Sequence, residues 1–309
     1  MKHVFIVNPA AGKSKRKQEF AANLQNFLKN SDLDYEIHRT LNKSEVGSFV
    51  KMRAESGEHI RFYACGGDGT ICDVLNGLVG FENAELAFYP CGTGNDFARN
   101  FTHPENFLDF EKLTTAPAYP VDAIRFNDTY SMNMLNIGID CDINIATQPY
   151  KEKFGDFSYA VAAVKVLRKP TNYRMKYTID GEEVEEDLLL CGVANGKYCG
   201  GGFAGNPIAQ IDDGLLDVDF VKPVPNLFTL GRLLLKYRAG THVSAPDCAP
   251  YINYKKLKKF TLEAISDNIH IAIDGETYDF KKAEIECVPN AVKLAIPEGS
   301  EILREHPVK

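Results

Sequence analysis

Residues 66–70, Gly-Gly-Asp-Gly-Thr, bring three glycines, a carboxylate and a hydroxyl to one short stretch of chain. The apolar run 59–64 before it predicts a buried strand, and apolar residues at helical spacing from 71 to 78 predict a helix after it. Glycines at such a turn expose backbone N–H groups, and a helix N-terminus favours phosphate. Because like charges repel, Asp68 here indicates a divalent cation between its carboxylate and a phosphate. The alternative is a plain glycine turn with a solvated aspartate.

A second glycine-rich turn, Gly-Thr-Gly-Asn-Asp-Phe at 92–97, follows the apolar segment 86–89. It begins like a dinucleotide-binding G-x-G-x-x-G fingerprint but has Phe97 at the third glycine position. A P-loop ending in the Gly-Lys-Ser of 12–14 is also excluded, because position 7 is valine. Since this turn again carries a hydroxyl and an aspartate at a strand end, we expect both turns to face one polyphosphate. Helix capping by Asn95 or Asp96 is an alternative role that can coexist with the first.

Two stretches of the second half have residue types that could do chemistry. Residues 199–203, Cys-Gly-Gly-Gly-Phe, suit a close approach of the backbone, and the acidic segment 212–217 follows them. The acidic residues could hold Mg²⁺ or Ca²⁺ with backbone carbonyls, although Asp-Asp-Gly before a strand is also an ordinary turn. The Asp-Gly of 274–275 is a hairpin signal, and Glu276 lies directly after it.

The pattern of elements changes along the chain. Up to about residue 115, short apolar strands alternate with amphipathic helices, which predicts a parallel sheet with ligand groups at the carboxyl ends of its strands. Longer alternating strands follow, which predict a mostly antiparallel β-sandwich or barrel. The expected elements of this half are hairpins at 121–135 and 173–193, strands at 215–221, 257–265, 268–274, 276–280 and 283–296, and helices near 159–167 and at 225–238. We expect an α/β catalytic domain at 1–120, a β-rich domain at 121–295, and a C-terminal tail at 296–309 that could return to the first domain.

Composition narrows the class of protein. The chain has 309 residues and a net charge of −7, which argues against nucleic-acid binding through a broad basic surface. No stretch has the roughly 18 consecutive apolar residues of a membrane-spanning helix, and the N-terminal apolar run is too short for a secretion signal. The eight cysteines include no C-x-x-C pair, which favours reduced thiols and a cytoplasmic location.

Taken in order, these motifs resemble the diacylglycerol kinase-like lipid kinases, the group with the bacterial diacylglycerol kinases and the sphingosine and ceramide kinases. The segments that match lie across nearly the whole chain: Asn8 and Pro9 with Gly12, 66–70, 92–98, 200–202, 213–215 and 274–276. The motif at 66–70 alone is shared with NAD kinases and phosphofructokinases, and its combination with 92–98 is more specific. The resemblance implies a parallel-sheet α/β domain like that of NAD kinase and phosphofructokinase, followed by a β-sandwich domain that takes the lipid.

The resemblance also implies transfer of the γ-phosphate of ATP, with Mg²⁺, to a lipid hydroxyl, and diacylglycerol giving phosphatidic acid is the first choice of acceptor. Asp68 would organise the catalytic Mg²⁺ and the triphosphate in a network with Asp96 and Asp122. Glu276 would be the general base that accepts the hydroxyl proton. A structural Mg²⁺ would be held by the Asp213 carboxylate and the carbonyls of Gln210 and Leu215. The nucleotide contacts would fall on Asn8, Pro9, Ala10, Ala11, Gly12, Thr40, Gly66, Gly67, Asp68, Gly69, Thr70, Ile71, Cys72 and Thr93.

A lipid acceptor implies peripheral membrane contact. The basic segments 13–17 and 255–259 could pair with anionic headgroups, although the first could face nucleotide phosphates and the second could be solvated surface. A homodimer is compatible with the family. The rival hypotheses are a kinase of a soluble acceptor, NAD above all, and a nucleotide-sensing regulator without catalysis, against which the intact Asp68 and Glu276 argue. Acyl-chain pockets are lined by ordinary apolar residues, so the pattern does not reveal which lipid is accepted.

Overall fold

The computed structural model describes residues 1–9, 11–12, 14–40, 43–150, 158–273 and 276–304. The first part of the chain forms strands β1 Lys2–Val7, β2 Tyr35–Arg39, β3 Ile60–Gly66 and β4 Ala84–Pro90. The helices between and after them are α1 Ser14–Lys29, α2 Lys43–Ala54, α3 Asp68–Leu78 and α4 Phe110–Thr115. Short 3₁₀ helices lie at Phe97–Asn100, Pro104–Leu108 and Gln148–Tyr150.

Strands β1 to β4 form a parallel sheet in the order β2-β1-β3-β4. All seven residues of β3 are buried, which is the pattern of a central parallel strand with both faces covered. Parallel neighbours end at the same sheet edge, so the turns after β1, β3 and β4 meet there. The predicted α/β first half is confirmed.

The second part of the chain is mainly antiparallel strands, with three helices described. The strands are β5 Ala118–Phe126, β6 Thr129–Ser131, β7 Met134–Gly138, β8 Tyr173–Ile179, β9 Glu182–Leu188, β10 Leu190–Ala194, β11 Leu216–Val221, β12 Ile252–Leu257, β13 Lys259–Ala264, β14 His270–Ile273, β15 Glu276–Asp279 and β16 Lys282–Ala295. The helices are α5 Ile139–Thr147, α6 Ser158–Leu167 and α7 Leu227–Ala239. Asn226 caps α7 by accepting from the Thr229 N–H at 2.9 Å, and Gly240 ends it at a φ of 70°.

Two sheets organise the described residues. One has the order β12-β11-β10-β7-β14-β15, and the other continues from β4 through β16, β13 and β8 to β9, with β5 paired to β16 and β6 paired to β5. Strand β16 runs parallel to β4 at Lys293 and Leu294 and antiparallel to β5 and β13, so it connects the two halves through one sheet. Near the end of the chain, Ile302 bridges to Phe101. The division at 120 and 295 stays a prediction.

Several predicted elements of the second half are wrong in their extent. The hairpin at 121–135 ends at Ser131, because β7 belongs to the other sheet, and the hairpin at 173–193 breaks at Leu189 for the same reason. The strand predicted at 257–265 is present as β13, whereas the preceding strand β12, which belongs to the other sheet, was not predicted. Helix α5 was not predicted. The apolar residues of α5 alternate from Ile139 to Ile145, which is the pattern of a strand. The segment is nevertheless helical, and its apolar residues pack in one cluster with residues of α6.

Candidate active site

The first glycine turn joins β3 to α3 with no room for side chains. A Cβ on Gly66 would lie 2.1 Å from Thr70 Oγ1, so only glycine fits there. Gly67 is the extended N-cap residue of α3, and the helix begins at Asp68. Asn8, at the end of β1, donates from Nδ2 to the same Thr70 hydroxyl at 3.2 Å. The turn after β1 and the turn after β3 therefore meet at one point.

The second glycine turn packs directly on the first. The Cys91 and Gly92 N–H groups both donate to the Gly66 carbonyl, at 2.9 and 3.0 Å. A Cβ on Gly92 would lie only 2.4 Å from Gly67 Cα, so the two backbones are in van der Waals contact. The two turns therefore lie side by side at neighbouring strand ends, and the prediction that both face one polyphosphate stays a prediction.

Asp68 and Asp96 form a pair between the two turns. The N–H groups of Asp96 and Phe97 donate to the two Asp68 carboxylate oxygens, at 3.1 and 2.9 Å. Asp96 Oδ2 accepts from the Gly201 N–H at 2.8 Å. Burial raises the pKa of Asp96, and the neighbouring Asp68 charge adds to that rise. Its other oxygen, Oδ1, is buried without a hydrogen bond and lies 3.3 Å from Arg99 Nε. The pair is thus a partly unsatisfied acidic centre.

The other residues predicted to contact the nucleotide lie in several places around the two glycine turns. A Cβ on Gly12 would lie 2.2 Å from the Cys91 carbonyl oxygen, so this glycine packs on the second turn. The Thr40 N–H donates to the Val7 carbonyl at 3.0 Å, which joins the ends of β1 and β2. Asn8, Pro9 and Ala11 line a cleft of about 700 Å³, and Thr93 lines another of about 480 Å³. The described residues Ile71 and Cys72 are buried on α3, and Ala10 lies outside the described residues.

Arginines near the turns were missed as site residues. Arg16, on α1, donates from Nη1 to the Gly92 carbonyl at 2.8 Å, and Arg99 lies beside Asp96. The basic segment 13–17 contained the signal for Arg16, whereas nothing in the sequence pointed to Arg99. Two cationic side chains therefore flank the second turn, where a phosphate would be attracted.

Glu276 reaches a cleft that it shares with the first glycine turn. The cleft has a volume of about 440 Å³ and its lining includes Gly69, Cys72 and Glu276. The Tyr278 hydroxyl donates to Glu276 Oε2 at 2.9 Å, and burial followed by this hydrogen bond raises the pKa of Tyr278 to about 12. Glu276 and the start of α3 thus face one space, while Asp274 and Gly275 lie outside the described residues.

Asp122 lies apart from the Asp68–Asp96 pair in its contacts. Its carboxylate accepts from the Gly214 N–H at 2.7 Å and from the Asn290 N–H at 2.9 Å. Burial raises the pKa of Asp122, these hydrogen bonds oppose the rise, and the charges of Asp213 and Asp212 add to it. The structure therefore joins Asp122 to the acidic turn at 212–214, and the predicted network of three aspartates stays a prediction.

The residues predicted to hold a structural metal ion are engaged with protein groups. Asp213 accepts from the Leu215 N–H at 3.1 Å and from Lys256 Nζ at 2.7 Å, so both oxygens have partners. The side chain of Gln210 donates from Nε2 to the Arg304 carbonyl at 2.6 Å, whereas the prediction concerns the backbone carbonyls of Gln210 and Leu215 and stays a prediction. Within the described residues no group of three or more His, Cys, Asp or Glu side chains is arranged to hold a metal ion. An ammonium group thus already supplies positive charge to Asp213.

An apolar cavity lies on the other side of the glycine loop 199–203. It has about 120 Å³ of free volume and opens between α5, α6, α7 and the second sheet. Its lining includes Ile139, Ile143, Ala163, Leu167, Leu189, Leu190, Val221, Leu230, Leu233 and Leu234, with Asn136, Asp140 and Tyr237 as polar members. Gly200 lines this cavity, and its neighbour Gly201 binds Asp96. One loop therefore separates the apolar cavity from the acidic centre.

The architecture is shared with a solved kinase. The crystal structure of yeast NADH kinase complexed with NADH superposes with a TM-score of 0.50, at 12% identity, over 97% of this chain and 84% of that chain. At this identity the likeness concerns the fold alone. The fold is that of the NAD kinase-like proteins.

Comparisons at the level of sequence are more specific. The family model described as "Diacylglycerol kinase catalytic domain" matches residues 2–126, and "YegS C-terminal NAD kinase beta sandwich-like domain" matches residues 133–296. The chain therefore belongs to the diacylglycerol kinase-like lipid kinase family, as the motifs indicated, and it has the predicted α/β and β-sandwich architecture.

Individual relatives agree with this assignment. A "Probable lipid kinase YegS-like" of Alcanivorax borkumensis is 29% identical over 243 residues, which cover 78% of this chain and 80% of that protein. A relative of the same name from Pseudomonas aeruginosa is 29% identical over 248 residues, 79% of each chain. The crystal structure of a diacylglycerol kinase from Bacillus anthracis has a TM-score of 0.73 at 25% identity, over 96% of this chain and 97% of that chain.

Proposed function

We propose that the protein transfers the γ-phosphate of ATP to the hydroxyl of a lipid, with diacylglycerol as the acceptor and phosphatidic acid as the product. The observation that best supports this proposal is the position of the loop 199–203 between the apolar cavity and the acidic centre. Gly200 walls an apolar cavity, and Gly201 donates to Asp96 beside the two glycine turns. A lipid with the end of one chain in this cavity of about 120 Å³, which would have to widen to take more, would have its polar end near the groups suited to phosphate.

Phosphate binding rests on backbone and cationic groups. The N-terminus of α3 favours the negative triphosphate, and the glycines of the two turns let a phosphate approach the backbone closely. Arg16 and Arg99 add positive charge beside the second turn. Because phosphoryl transfer depends mostly on positioning and charge neutralisation, this set of groups suits the reaction.

The acidic centre suits a magnesium ion. Asp96 Oδ1 is a buried carboxylate oxygen without a hydrogen bond, with Arg99 Nε 3.3 Å away, and Asp68 lies against the same turn. Hard cations prefer such oxygens, so Asp68 and Asp96 would hold Mg²⁺ together with the nucleotide. Bound Mg²⁺ would neutralise charge on the phosphate oxygens. A structural Mg²⁺ held by the Asp213 carboxylate and the carbonyls of Gln210 and Leu215 stays part of the proposal, and the ion would replace Lys256 Nζ as the cationic partner of Asp213.

Glu276 is proposed as the general base. In the transfer, the acceptor oxygen forms a bond to the γ-phosphorus, the bond from that phosphorus to the bridging oxygen of ADP breaks, and the acceptor proton passes to Glu276. Its place in a cleft with Gly69 supports this role, because Gly69 belongs to the turn at which the phosphates would bind. The hydrogen bond from Tyr278 holds the Glu276 carboxylate in that cleft.

The motifs and the cavity bear on two candidate acceptors, a soluble nucleotide and a lipid. The motif at 66–70, which NAD kinases share, keeps a second candidate, a soluble nucleotide acceptor such as NAD. The lining of the cavity favours a lipid, since it is apolar apart from a few groups. No helix in the described part of the chain combines the length and the apolar composition needed to traverse a bilayer. We propose reversible contact with a membrane surface from the cytoplasm, and we keep the homodimer as a prediction for analytical ultracentrifugation.

The decisive experiment offers the purified protein radiolabelled ATP with Mg²⁺ and, separately, diacylglycerol in detergent micelles, sphingosine or NAD. We expect label in phosphatidic acid and none after chelation with EDTA. Label in NADP would replace the lipid by the soluble acceptor, and label in sphingosine phosphate alone would replace diacylglycerol. ATP binding without any labelled product would favour the regulator hypothesis.

A further inference from the structure

Helices α6 and α7 have no acidic residue, although the protein as a whole carries a net charge of −7. Both helices wall the apolar cavity, α6 through Ala163 and Leu167 and α7 through Leu230, Leu233 and Tyr237. Their other sides face solvent. The outward sides carry exposed apolar and basic side chains, whereas the protein as a whole is acidic.

Large apolar side chains are exposed on these outward sides. Phe228 and Leu235 of α7 are 74% and 69% exposed, and Val164 of α6 is 61% exposed. Phe228, Arg232 and Leu235 recur at positions i, i+4 and i+7, so they form a stripe along one side of α7. Removing these apolar side chains from water would be favourable. Because they lie on the two helices that wall the cavity, they mark an interaction surface.

The charged members of this surface are all basic. We define the docking face by its exposed side chains, which are Val164, Lys165, Arg168, Lys169, Leu227, Phe228, Arg232, Leu235 and Arg238. The exposed carboxylate of Asp247 contacts this face, 2.7 Å from Arg232 Nη2, and it also pairs with Lys236. Arg238 lies over the Phe203 ring at 5.5 Å and Lys165 over the Tyr150 ring at 5.8 Å. The arrangement of apolar residues flanked by basic ones suits an anionic lipid surface.

We propose that the docking face is the membrane-binding surface of this protein, with Phe228 and Leu235 inserted among the lipids and the basic residues on anionic headgroups. The inference rests on the proposed function in one respect, because α6 and α7 would then stand between the bilayer and the cavity that takes the lipid. A lipid leaving the bilayer at this face would pass from one apolar environment to another. The basic segments 13–17 and 255–259 are less suited, since Arg16 binds the Gly92 carbonyl and Lys256 binds Asp213.

The test is cosedimentation of the full chain with vesicles, without ATP or acceptor. Vesicles of phosphatidylcholine alone are compared with vesicles that also contain phosphatidylglycerol. We expect binding to the mixed vesicles that weakens with added salt. The double variant Phe228→Ser with Leu235→Ser removes the apolar stripe, and we expect it to lose about tenfold or more in affinity. The matched control is Met52→Ser with Tyr119→Ser, two side chains that are 58% and 49% exposed elsewhere.

A second pair of variants tests the charges. Arg168→Glu with Lys169→Glu reverses two basic side chains of the docking face, and we expect at least about 25-fold weaker binding to the mixed vesicles, at about fivefold for each of the two positive charges lost. Lys51→Glu with Lys281→Glu reverses two exposed lysines in other regions and serves as the control. Unchanged binding by both face variants, or an equal loss in the controls, would overturn the proposal, as would wild-type protein that binds neither vesicle.

Two further measurements separate this proposal from its alternatives. If size-exclusion chromatography shows that the face variants convert a wild-type dimer to a monomer while vesicle binding persists, the face is a contact between two copies and the proposal is wrong. Transfer to diacylglycerol in detergent micelles, which need no docking, should be retained in Phe228→Ser with Leu235→Ser. Wild type that binds vesicles through this face but labels no acceptor would refute the proposed function and leave the docking face standing.

Discussion

Replacing Gly92 by alanine would test whether the contact between the two glycine turns positions the phosphate groups. The added Cβ would lie 2.4 Å from Gly67 Cα, 2.9 Å from Gly67 N and 2.8 Å from Asn95 Oδ1. Two carbon atoms pack at about 3.5 Å or more, so the turns would have to separate by roughly 1 Å. The obstacle is backbone, which no rotamer change can remove. We expect a loss of about 1–3 kcal/mol in the free energy of unfolding from overpacking.

The larger effect should be on catalysis. A displacement of about 1 Å between groups that hold the reacting atoms lowers the rate by about 100-fold. The assay is single-turnover transfer from radiolabelled ATP to the acceptor that wild type labels, with urea unfolding measured in parallel. Gly231→Ala is the matched control, because nothing lies within 4 Å of a Cβ built on this exposed residue of α7. There alanine should leave transfer unchanged and stabilise the helix by up to about 1 kcal/mol.

Wild-type transfer rates and a wild-type ATP affinity in a folded Gly92→Ala variant would refute the reasoning. Such a result would mean that the two turns can separate without moving the phosphates, so the close backbone contact would have no catalytic consequence. A loss in unfolding free energy with normal transfer would assign the contact to stability alone.

The other predictions concern proton transfer, a buried ion pair and pH. Glu276→Gln should lower the transfer rate by about 10²–10⁴-fold with ATP binding retained, because the amide cannot accept the proton. An unchanged rate would show that Glu276 is not the general base. Arg61→Met should cost about 3–5 kcal/mol in urea unfolding, because it leaves the buried Glu85 carboxylate, 2.7 Å from Arg61 Nη2, without its cation; a cost below 1 kcal/mol would contradict this. Burial, followed by the Arg61 charge, lowers the pKa of His3 from 6.5 to about 4. Between pH 6.5 and about pH 4 the unfolded chain therefore binds a proton at His3 that the folded protein does not bind. The free energy of unfolding falls as the pH drops through this range. His3→Gln should remove up to about 3 kcal/mol of that fall, and an unchanged dependence of urea unfolding on pH would contradict this.

The first half of the fold was predictable because its signals are local. Buried strands there are short continuous apolar runs, and glycine turns end them, as at β3 and α3. The second half was less predictable. Leu189 and the residues between β6 and β7 carry the chain from one sheet to the other with little change in hydrophobic pattern. Alternation indicates that a strand has two faces but does not indicate which sheet it joins.

The candidate site shows the same division. The residues at 66–70 and 92–97 were expected to face each other because neighbouring parallel strands end together, and the contact of Gly92 with Gly67 bears this out. The contacts of Asp122 with Gly214 and Asn290 were not expected, since these residues are distant in the chain. The apolar cavity was equally hidden, because its leucines have the same sequence pattern as core leucines.

The sequence by itself determined the family, the two glycine turns and the identity of the acidic residues, because these depend on residue types at fixed local spacing. Only the tertiary structure decided that Glu276 shares a cleft with Gly69, that Lys256 neutralises Asp213, and that one loop separates the apolar cavity from Asp96. These are contacts between residues far apart in the chain. They depend on the order and register of strands in two sheets, which local preferences do not encode.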